Sequence, residues 1–221
     1  MRTHFYVDMD DLTEIETALG MAKDKSKIVL KAAINNVAKR TEKRMVDETK
    51  KTYRYKQGES NGIANTVSDL KESNKVEKAK TGSMVAAVVV KGAVNELLGF
   101  DASPMLYVPG GGYPEGYKAR ARRDGKMKNI ALRPGASDQY KGFIIRYTNH
   151  SRDGKTSHHY ALAQRIPGKK MKSNPHKEAV KSLLSISAPK AEEIVYRKEI
   201  KDDMHEILER SIEEQIHRFV K

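Results

Sequence analysis

The chain has 221 residues, of which 38% are hydrophobic, and it contains no Cys, no Trp and four Phe. The absence of Cys excludes a disulfide framework, a thiolate metal site and a Cys nucleophile, and it is compatible with a reducing cytoplasm. The formal net charge is +13, and residues 111–177 hold sixteen Lys and Arg against four Asp and Glu, so this basic segment carries nearly all of it.

An apolar stripe predicts a long helix over residues 12–51, because apolar side chains recur there at three- and four-residue steps. The stripe consists of Leu30, Ala33, Ile34, Val37, Ala38, Thr41 and Met45. We expect a break near Gly20, since Gly costs about 1 kcal/mol relative to Ala inside a helix. After this helical part, residues 57–65 contain Asn61-Gly62 and predict a polar loop.

Short apolar runs separated by turn residues predict one antiparallel sheet in the middle of the chain. A first hairpin would pair residues 75–80 with the Val-rich residues 84–91, which should form the most buried strand. Further strands are expected at residues 128–132, 142–147 and 158–166, the last two joined by a turn at Asp153-Gly154.

Residues 100–123 contain seven Pro and Gly, a density that excludes helix or regular sheet over most of the stretch. We therefore predict an extended basic loop over residues 101–126. Loops of this length inside a domain are usually functional or disordered.

Two helix-start signals follow the sheet. Ser173-Asn174-Pro175 predicts a short helix to about Ile186, because Asn or Ser caps free N–H groups and Pro suits the first helical turn. Ser187-Ala188-Pro189 repeats the signal and introduces a long amphipathic helix over residues 190–219. The predicted fold class is α+β: a single domain, residues 1–221, with long N- and C-terminal amphipathic helices packed on a small antiparallel sheet with long loops. Its parts are helices in residues 1–55, sheet in residues 70–100 and 127–167, and helices in residues 175–221.

No catalytic or metal-binding constellation is recognisable in the sequence. Adjacent His158 and His159 would point to opposite faces of a strand and cannot chelate one ion together. Gly110-Gly111-Gly112 is followed by Tyr113-Pro114 rather than by the Lys-Ser or Lys-Thr of a phosphate-binding loop. The longest apolar run, residues 84–90, is far shorter than the ~20 residues that cross a bilayer. We expect a soluble protein that is not an enzyme and has no cofactor, metal or membrane partner.

The candidate functional residues are two basic clusters. Arg presents a planar fork that suits phosphate, and loops can offer several such groups to a backbone without reading bases. Three interpretations stay open: contact with DNA, contact with an acidic neighbouring subunit, and a solvated surface that contacts nothing. The first two make the chain either an assembly subunit or a non-sequence-specific nucleic-acid-binding module. The residues are Lys118, Arg120, Arg122, Arg123, Lys126 and Lys128 in the first cluster and Lys169, Lys170 and Lys172 in the second.

Several motifs, taken in order, resemble the tail completion family of tailed bacteriophages, also called minor tail protein Z. They are AKRTEKRM at residues 38–45, KARARRD at 118–124, YALAQRIPG at 160–168, MKSNP at 171–175 and KSLLSISAPK at 181–190. The likeness spans nearly the whole chain, and its motifs are structural rather than catalytic.

The resemblance implies a non-enzymatic virion component at the head-proximal end of the tail, made in the host cytoplasm. Its expected partners are further copies of itself, in a ring for which the family favours six subunits, the tail tube or tail terminator, and neck or connector proteins. DNA in the tail channel is a further possible contact.

Overall fold

Helices and small antiparallel sheets make up the structure, so the predicted α+β class is confirmed. This computed structural model describes residues 2–6, 23–55, 67–80, 82–105, 107–109, 116–130, 142–151 and 153–220. The chain divides into two compact units. Unit 1 comprises Met1–Thr49, Glu72–Gly92 and Pro189–Lys221, and unit 2 comprises Lys50–Lys71 and Ala93–Ala188.

Unit 1 is built on helix α1 (Lys23–Thr52), whose last residues already belong to unit 2. All seven positions of the predicted apolar stripe are buried, from Leu30 to Met45, which confirms the helix and its inward face. Residues 12–22, with the expected break near Gly20, and the predicted loop at residues 57–65 lie outside the described residues.

The sheet of unit 1 contains β1 (Arg2–Tyr6), β2 (Asn74–Glu77) and β3 (Val85–Val90) in the order β1–β3–β2, all antiparallel. The predicted hairpin is confirmed, and two backbone hydrogen bonds between Lys80 and Ser83 lie at its turn. Central β3 is buried from Ala86 onward, as expected of a strand with neighbours on both edges.

A helical path runs from α3 (Ala188–Val195) through a π-helical turn (Tyr196–Ile200) and a 3-10 turn (Lys201–Asp203) into α4 (Met204–Val220). The start predicted at residues 187–189 is confirmed, but the continuous helix is wrong, because two non-α turns interrupt it. Arg44 of α1 lies at the interruption: its Nη2 donates to the Glu199 carbonyl at 2.8 Å and to Asp203 Oδ2 at 2.6 Å. Arg44 therefore links α1 to the irregular segment between α3 and α4.

Arg44→Ala should loosen α4 without unfolding unit 1. The variant loses two charge-assisted bonds, and since about a third of the Arg44 side chain is exposed, we expect a loss of only about 1 kcal/mol. Hydrogen exchange of the α4 amides measures this. Lys43→Ala, an exposed neighbour on the same helix, is the control, and equal exchange in the two variants would show that Arg44 does not hold α4.

The described residues of unit 2 form two three-stranded antiparallel sheets. The first, β4–β5–β6, is formed by β4 (Asp101–Ser103), β5 (Lys118–Arg120) and β6 (Lys128–Asn129). The second, β7–β8–β9, is formed by β7 (Phe143–His150), β8 (Thr156–Lys170) and β9 (Glu178–Ser182). A shared core of Leu98, Ala102, Tyr117, Ala119, Ile144 and Leu162 joins the two sheets. Helix α2 (Val67–Glu72) precedes β2 in the chain.

Three expectations about the middle of the chain need correction. The described strands form three sheets rather than one. The predicted extended loop at residues 101–126 begins with β4 and contains β5 near its other end, although no helix interrupts its described part. The predicted strand at residues 128–132 is seen as the two-residue β6, and Ala131 and Leu132 lie outside the described residues.

The short helix predicted for residues 175–186 is wrong, because this segment contains β9. The Asn174 side chain accepts a hydrogen bond from the His176 N–H at 3.0 Å, and the Met171 N–H donates to the Lys177 carbonyl at 2.9 Å. Asn-Pro therefore forms a side-chain-supported turn between β8 and β9 instead of a helix cap, two uses of Asn that look alike in sequence.

Candidate functional site

The first basic cluster lies on the β4–β5–β6 sheet of unit 2 and on the turn after β5. Ala119 lies in the core and Tyr117, which precedes the strand, is also buried. Alternation along a strand then turns Lys118 toward solvent. The cluster is therefore carried by a folded platform rather than by an extended loop.

All three arginines of this cluster donate hydrogen bonds to other residues of unit 2. Arg120 donates from Nε to Asp101 Oδ2 at 2.7 Å and from Nη1 to the Gly125 carbonyl at 3.2 Å, which links β4, β5 and the following turn. Only 25% of its side chain is exposed. Arg120 is therefore a paired, largely covered charge rather than a free surface group, because Asp101, which lies opposite it on β4, supplies a carboxylate.

Arg122 and Arg123 are exposed but have partners. Arg122 makes two hydrogen bonds to the Asp124 carboxylate, at 2.9 and 2.8 Å, and this interaction raises the pKa of the guanidinium. Arg123 Nε donates to the Lys50 carbonyl at 2.8 Å. Arg122 also forms a backbone bridge with Tyr53, a buried residue whose burial raises the pKa of its hydroxyl.

Lys118, Lys126 and Lys128 are the exposed remainder of the first cluster. None of them makes an ion pair with any residue that the structure describes. These three ammonium groups are the part of the cluster that remains open to a partner.

The second basic cluster lies where the β8–β9 hairpin turns. Lys169 and Lys170 are the last residues of β8, and Lys172 lies in the turn that follows. Gly168 has a φ of +73°, a conformation that favours glycine, and its N–H donates to Glu178 Oε1 at 3.4 Å. All three lysines are exposed, and none forms an ion pair within the described parts of the chain.

The hairpin adds two residues that sequence reasoning missed. Lys177 ends the turn and Lys181 lies on β9 opposite Gln164, and both side chains are exposed. Sequence analysis does not single them out, because Ser173-Asn174-Pro175 predicts a helix over residues 175–186 rather than a strand beside β8. The signal that could have found them is Asn174-Pro175 between two segments of strand-like composition.

The structure does not bring the two clusters together into one patch. Ala119, which lies between Lys118 and Arg120 of the first cluster, shares a core with Leu162 of β8. Lys169 lies seven residues further along β8, a distance of about 20 Å at the rise of a β-strand. The two clusters are therefore separate surfaces of unit 2.

The histidines of the β7–β8 hairpin have separate partners. His159 Nε2 lies 2.8 Å from Glu96 Oε2 and its ring stacks on Tyr147, whereas His158 Nδ1 lies 3.3 Å from Thr148 Oγ1. Adjacent histidines therefore do not converge, as the strand geometry predicts. Within the described ranges, no group of three or more His, Asp or Glu is arranged to hold a metal, and no helix of the described chain is long and apolar enough to span a membrane.

No family model, curated protein or solved structure matches the chain.

Proposed function

We propose that this chain is a structural virion protein of a tailed bacteriophage, which forms or joins a ring at the head-proximal end of the tail and takes part in joining head to tail. The ordered series of motifs from residue 38 to residue 190 supports the proposal through its resemblance to the tail completion family. No catalytic role is proposed for any residue.

The observation that carries the proposal is the outer half of the β7–β8 hairpin. Arg146–His150 and Thr156–His158 are exposed throughout, although Ile144 in the inner half of β7 is buried. The Tyr147 hydroxyl lies 3.3 Å from Ser182 Oγ on β9, and beyond it the side-chain hydrogen bonds run across the hairpin itself, between Thr148 and His158 and between Thr156 and His150. A ribbon that extends beyond its own core suits a subunit that completes its burial on neighbours.

β7 also lies at an edge of its sheet among the described strands. An edge strand presents unpaired N–H and C=O groups to which another chain can add a strand. In a ring, such an edge would meet the adjacent copy, and a head-to-tail interface that closes gives a cyclic assembly. Tail-tube or terminator and neck or connector proteins would lie against the two faces of that ring.

Charge supports the same assembly. Residues 178–221 carry ten acidic and eight basic side chains, in contrast to the strongly basic residues 111–177. The exposed Lys118, Lys126 and Lys128 would lie at the polar rim of a contact with acidic side chains of a neighbouring subunit, where charge favours encounter and fixes orientation more than it adds affinity.

Electron microscopy of tails that carry an affinity-labelled copy of this chain tests the proposal. We expect the label at one end of each tail, the end that joins the head, and tails lacking the protein should fail to join filled heads. Label distributed along the whole tube, or tails that join heads normally without the protein, would contradict the assignment.

A further inference from the structure

We propose that the β8–β9 hairpin end binds the phosphate backbone of duplex DNA without reading its sequence. The binding residues are Lys169, Lys170, Lys172, Lys177 and Lys181, which we call the lysine hairpin. This inference goes beyond the structural role proposed above and does not depend on it.

Uncompensated charge is the first argument. Residues 165–182 contain six Lys and Arg and one acidic residue, Glu178, a formal charge of +5. Glu178 is half-buried, and its Oε1 accepts from the Gly168 N–H. All five lysines are exposed and form no ion pair with any described residue, so their charge is available to a partner.

The hairpin holds these lysines on a defined scaffold. Three backbone hydrogen bonds close the turn: from the Met171 N–H to the Lys177 carbonyl at 2.9 Å, from the Lys177 N–H to the Asn174 carbonyl at 3.1 Å and from the Asn174 N–H to the Met171 carbonyl at 3.3 Å. Lys170 lies opposite Glu178 in the strand register, so Lys169 and Lys170 at the end of β8 and the lysines of the turn lie close together at this end of the sheet, and Lys181 lies three residues further along β9. A two-stranded ribbon is also narrow enough to enter the major groove of DNA.

The type of residue favours phosphate over a protein partner. Lys is depleted in protein–protein interfaces, whose centres are rich in aromatic residues, Met and Arg. The exposed residues of this turn are Lys169, Lys170, Lys172, Ser173, Pro175, His176 and Lys177, with no large apolar side chain among them. Interfaces with DNA are by contrast polar and strongly positive, and their phosphate contacts carry no sequence information.

The first basic cluster is a weaker candidate for the same ligand. Its arginines have their donors directed to Asp101, Asp124 and backbone carbonyls of unit 2. Binding of phosphate by these arginines would require existing bonds to break, which leaves only Lys118, Lys126 and Lys128 open in this cluster, whereas all five lysines of the lysine hairpin are exposed and form no ion pair with any described residue.

The test measures equilibrium binding of the full chain to labelled duplexes of about 20 base pairs and of unrelated sequences. Fluorescence anisotropy monitors the binding at several salt concentrations between about 50 and 200 mM. The hairpin variant replaces four lysines by glutamine: Lys169→Gln, Lys170→Gln, Lys172→Gln and Lys177→Gln. The matched control removes the same charge from exposed lysines on or beside the β2–β3 hairpin of unit 1: Lys75→Gln, Lys78→Gln, Lys80→Gln and Lys91→Gln.

We expect the wild-type chain to bind all duplexes alike, with log Kd rising linearly with log salt. The hairpin variant should lose at least about tenfold in affinity at the lowest salt, and its salt slope should fall by about 0.9 for each phosphate contact removed. The control should stay near wild type. A variant with arginine at the same four positions should bind, which separates charge from misfolding.

Three results would overturn the proposal. Equal losses in the hairpin variant and the control would show that only net charge matters. Absence of DNA binding by the wild-type chain, combined with salt-sensitive binding to tail or neck proteins that the hairpin variant loses, would identify an acidic protein partner instead. Failure of the arginine variant to bind, while its circular dichroism matches wild type, would show that charge at these positions is not what binds.

Discussion

Glu192→Gln should make unit 1 more stable above pH 7 and remove most of its loss of stability between pH 4.5 and 7. Glu192 lies on α3 with no exposed surface, and its Oε1 accepts from Asn74 Nδ2 at 2.7 Å. Burial raises the pKa of its carboxyl from 4.5 to about 7, the hydrogen bond from Asn74 lowers it, and the nearby Glu42 raises it. Gln keeps the carbonyl oxygen that Asn74 contacts but carries no charge at any pH.

The direction of this change in stability with pH follows from proton linkage. Between pH 4.5 and 7 the folded protein keeps a proton that the unfolded chain has released, so the free energy of unfolding falls as pH rises through this range. The stability that protonated Glu192 contributes is fully present below pH 4.5 and is lost as pH rises above its folded-state pKa of about 7. The shift corresponds to about 3 kcal/mol, the gain we expect for the variant above pH 7.

Urea unfolding at a series of pH values measures the effect. Far-ultraviolet circular dichroism is a suitable signal, because α1, α3 and α4 lie wholly or mostly in unit 1. Glu193→Gln is the matched control: a hydrogen bond from Lys190 lowers the pKa of Glu193, so this group is already ionised across the range and should not alter the profile. Parallel pH profiles for wild type and Glu192→Gln would contradict the assignment of the pH dependence to Glu192.

Sequence periodicity predicts the elements of unit 1 well because they are long and one-sided. The apolar stripe of α1 extends over four turns, so its buried face is specified many times over. The Val-rich β3 is similarly marked by a continuous apolar run, typical of a strand with neighbours on both sides. Buried Glu192 could not be found this way, because its position depends on Asn74, 118 residues away in the sequence.

Sequence patterns predict the elements of unit 2 less well than those of unit 1, for physical reasons. Its first sheet has strands of two and three residues, too short for a period to be recognised, and they are stabilised by the shared core around Tyr117 and Leu162. β9 follows a turn whose sequence, Ser173-Asn174-Pro175, also predicts the start of a helix. In both places tertiary pairing, which a local pattern does not contain, decides the conformation.

The same limit applies to the candidate site. Sequence identifies where cationic residues concentrate, and those positions are indeed largely exposed. It treats the six residues of the first cluster as equivalent, whereas the fold separates Arg120, which links β4 to β5, from Lys118, Lys126 and Lys128, which stay open. Whether a charge is structural or available depends on carboxylates and carbonyls distant in sequence.

Arg120→Ala should destabilise the β4–β5–β6 sheet by about 2 kcal/mol, the usual size of losing hydrogen bonds to a charged group. The variant leaves Asp101, with 32% of its side chain exposed, without its 2.7 Å partner. Arg54 Nε stays 3.9 Å from the same carboxylate and limits the loss. The Gly125 carbonyl also loses its bond from Nη1, so the turn after β5 should loosen with the sheet.

Hydrogen exchange of the β5 amides measures the change, since 2 kcal/mol corresponds to about thirtyfold less protection where the sheet opens locally. Arg122→Ala is the matched control: its pair with Asp124 is 51% and 68% exposed, so we expect exchange close to that of the wild type. Arg120→Lys keeps the charge but not the two-atom geometry and should fall between them. If Arg120→Ala and Arg122→Ala exchange alike, Arg120 is a surface charge, and it belongs with Lys118, Lys126 and Lys128 among the groups open to a partner.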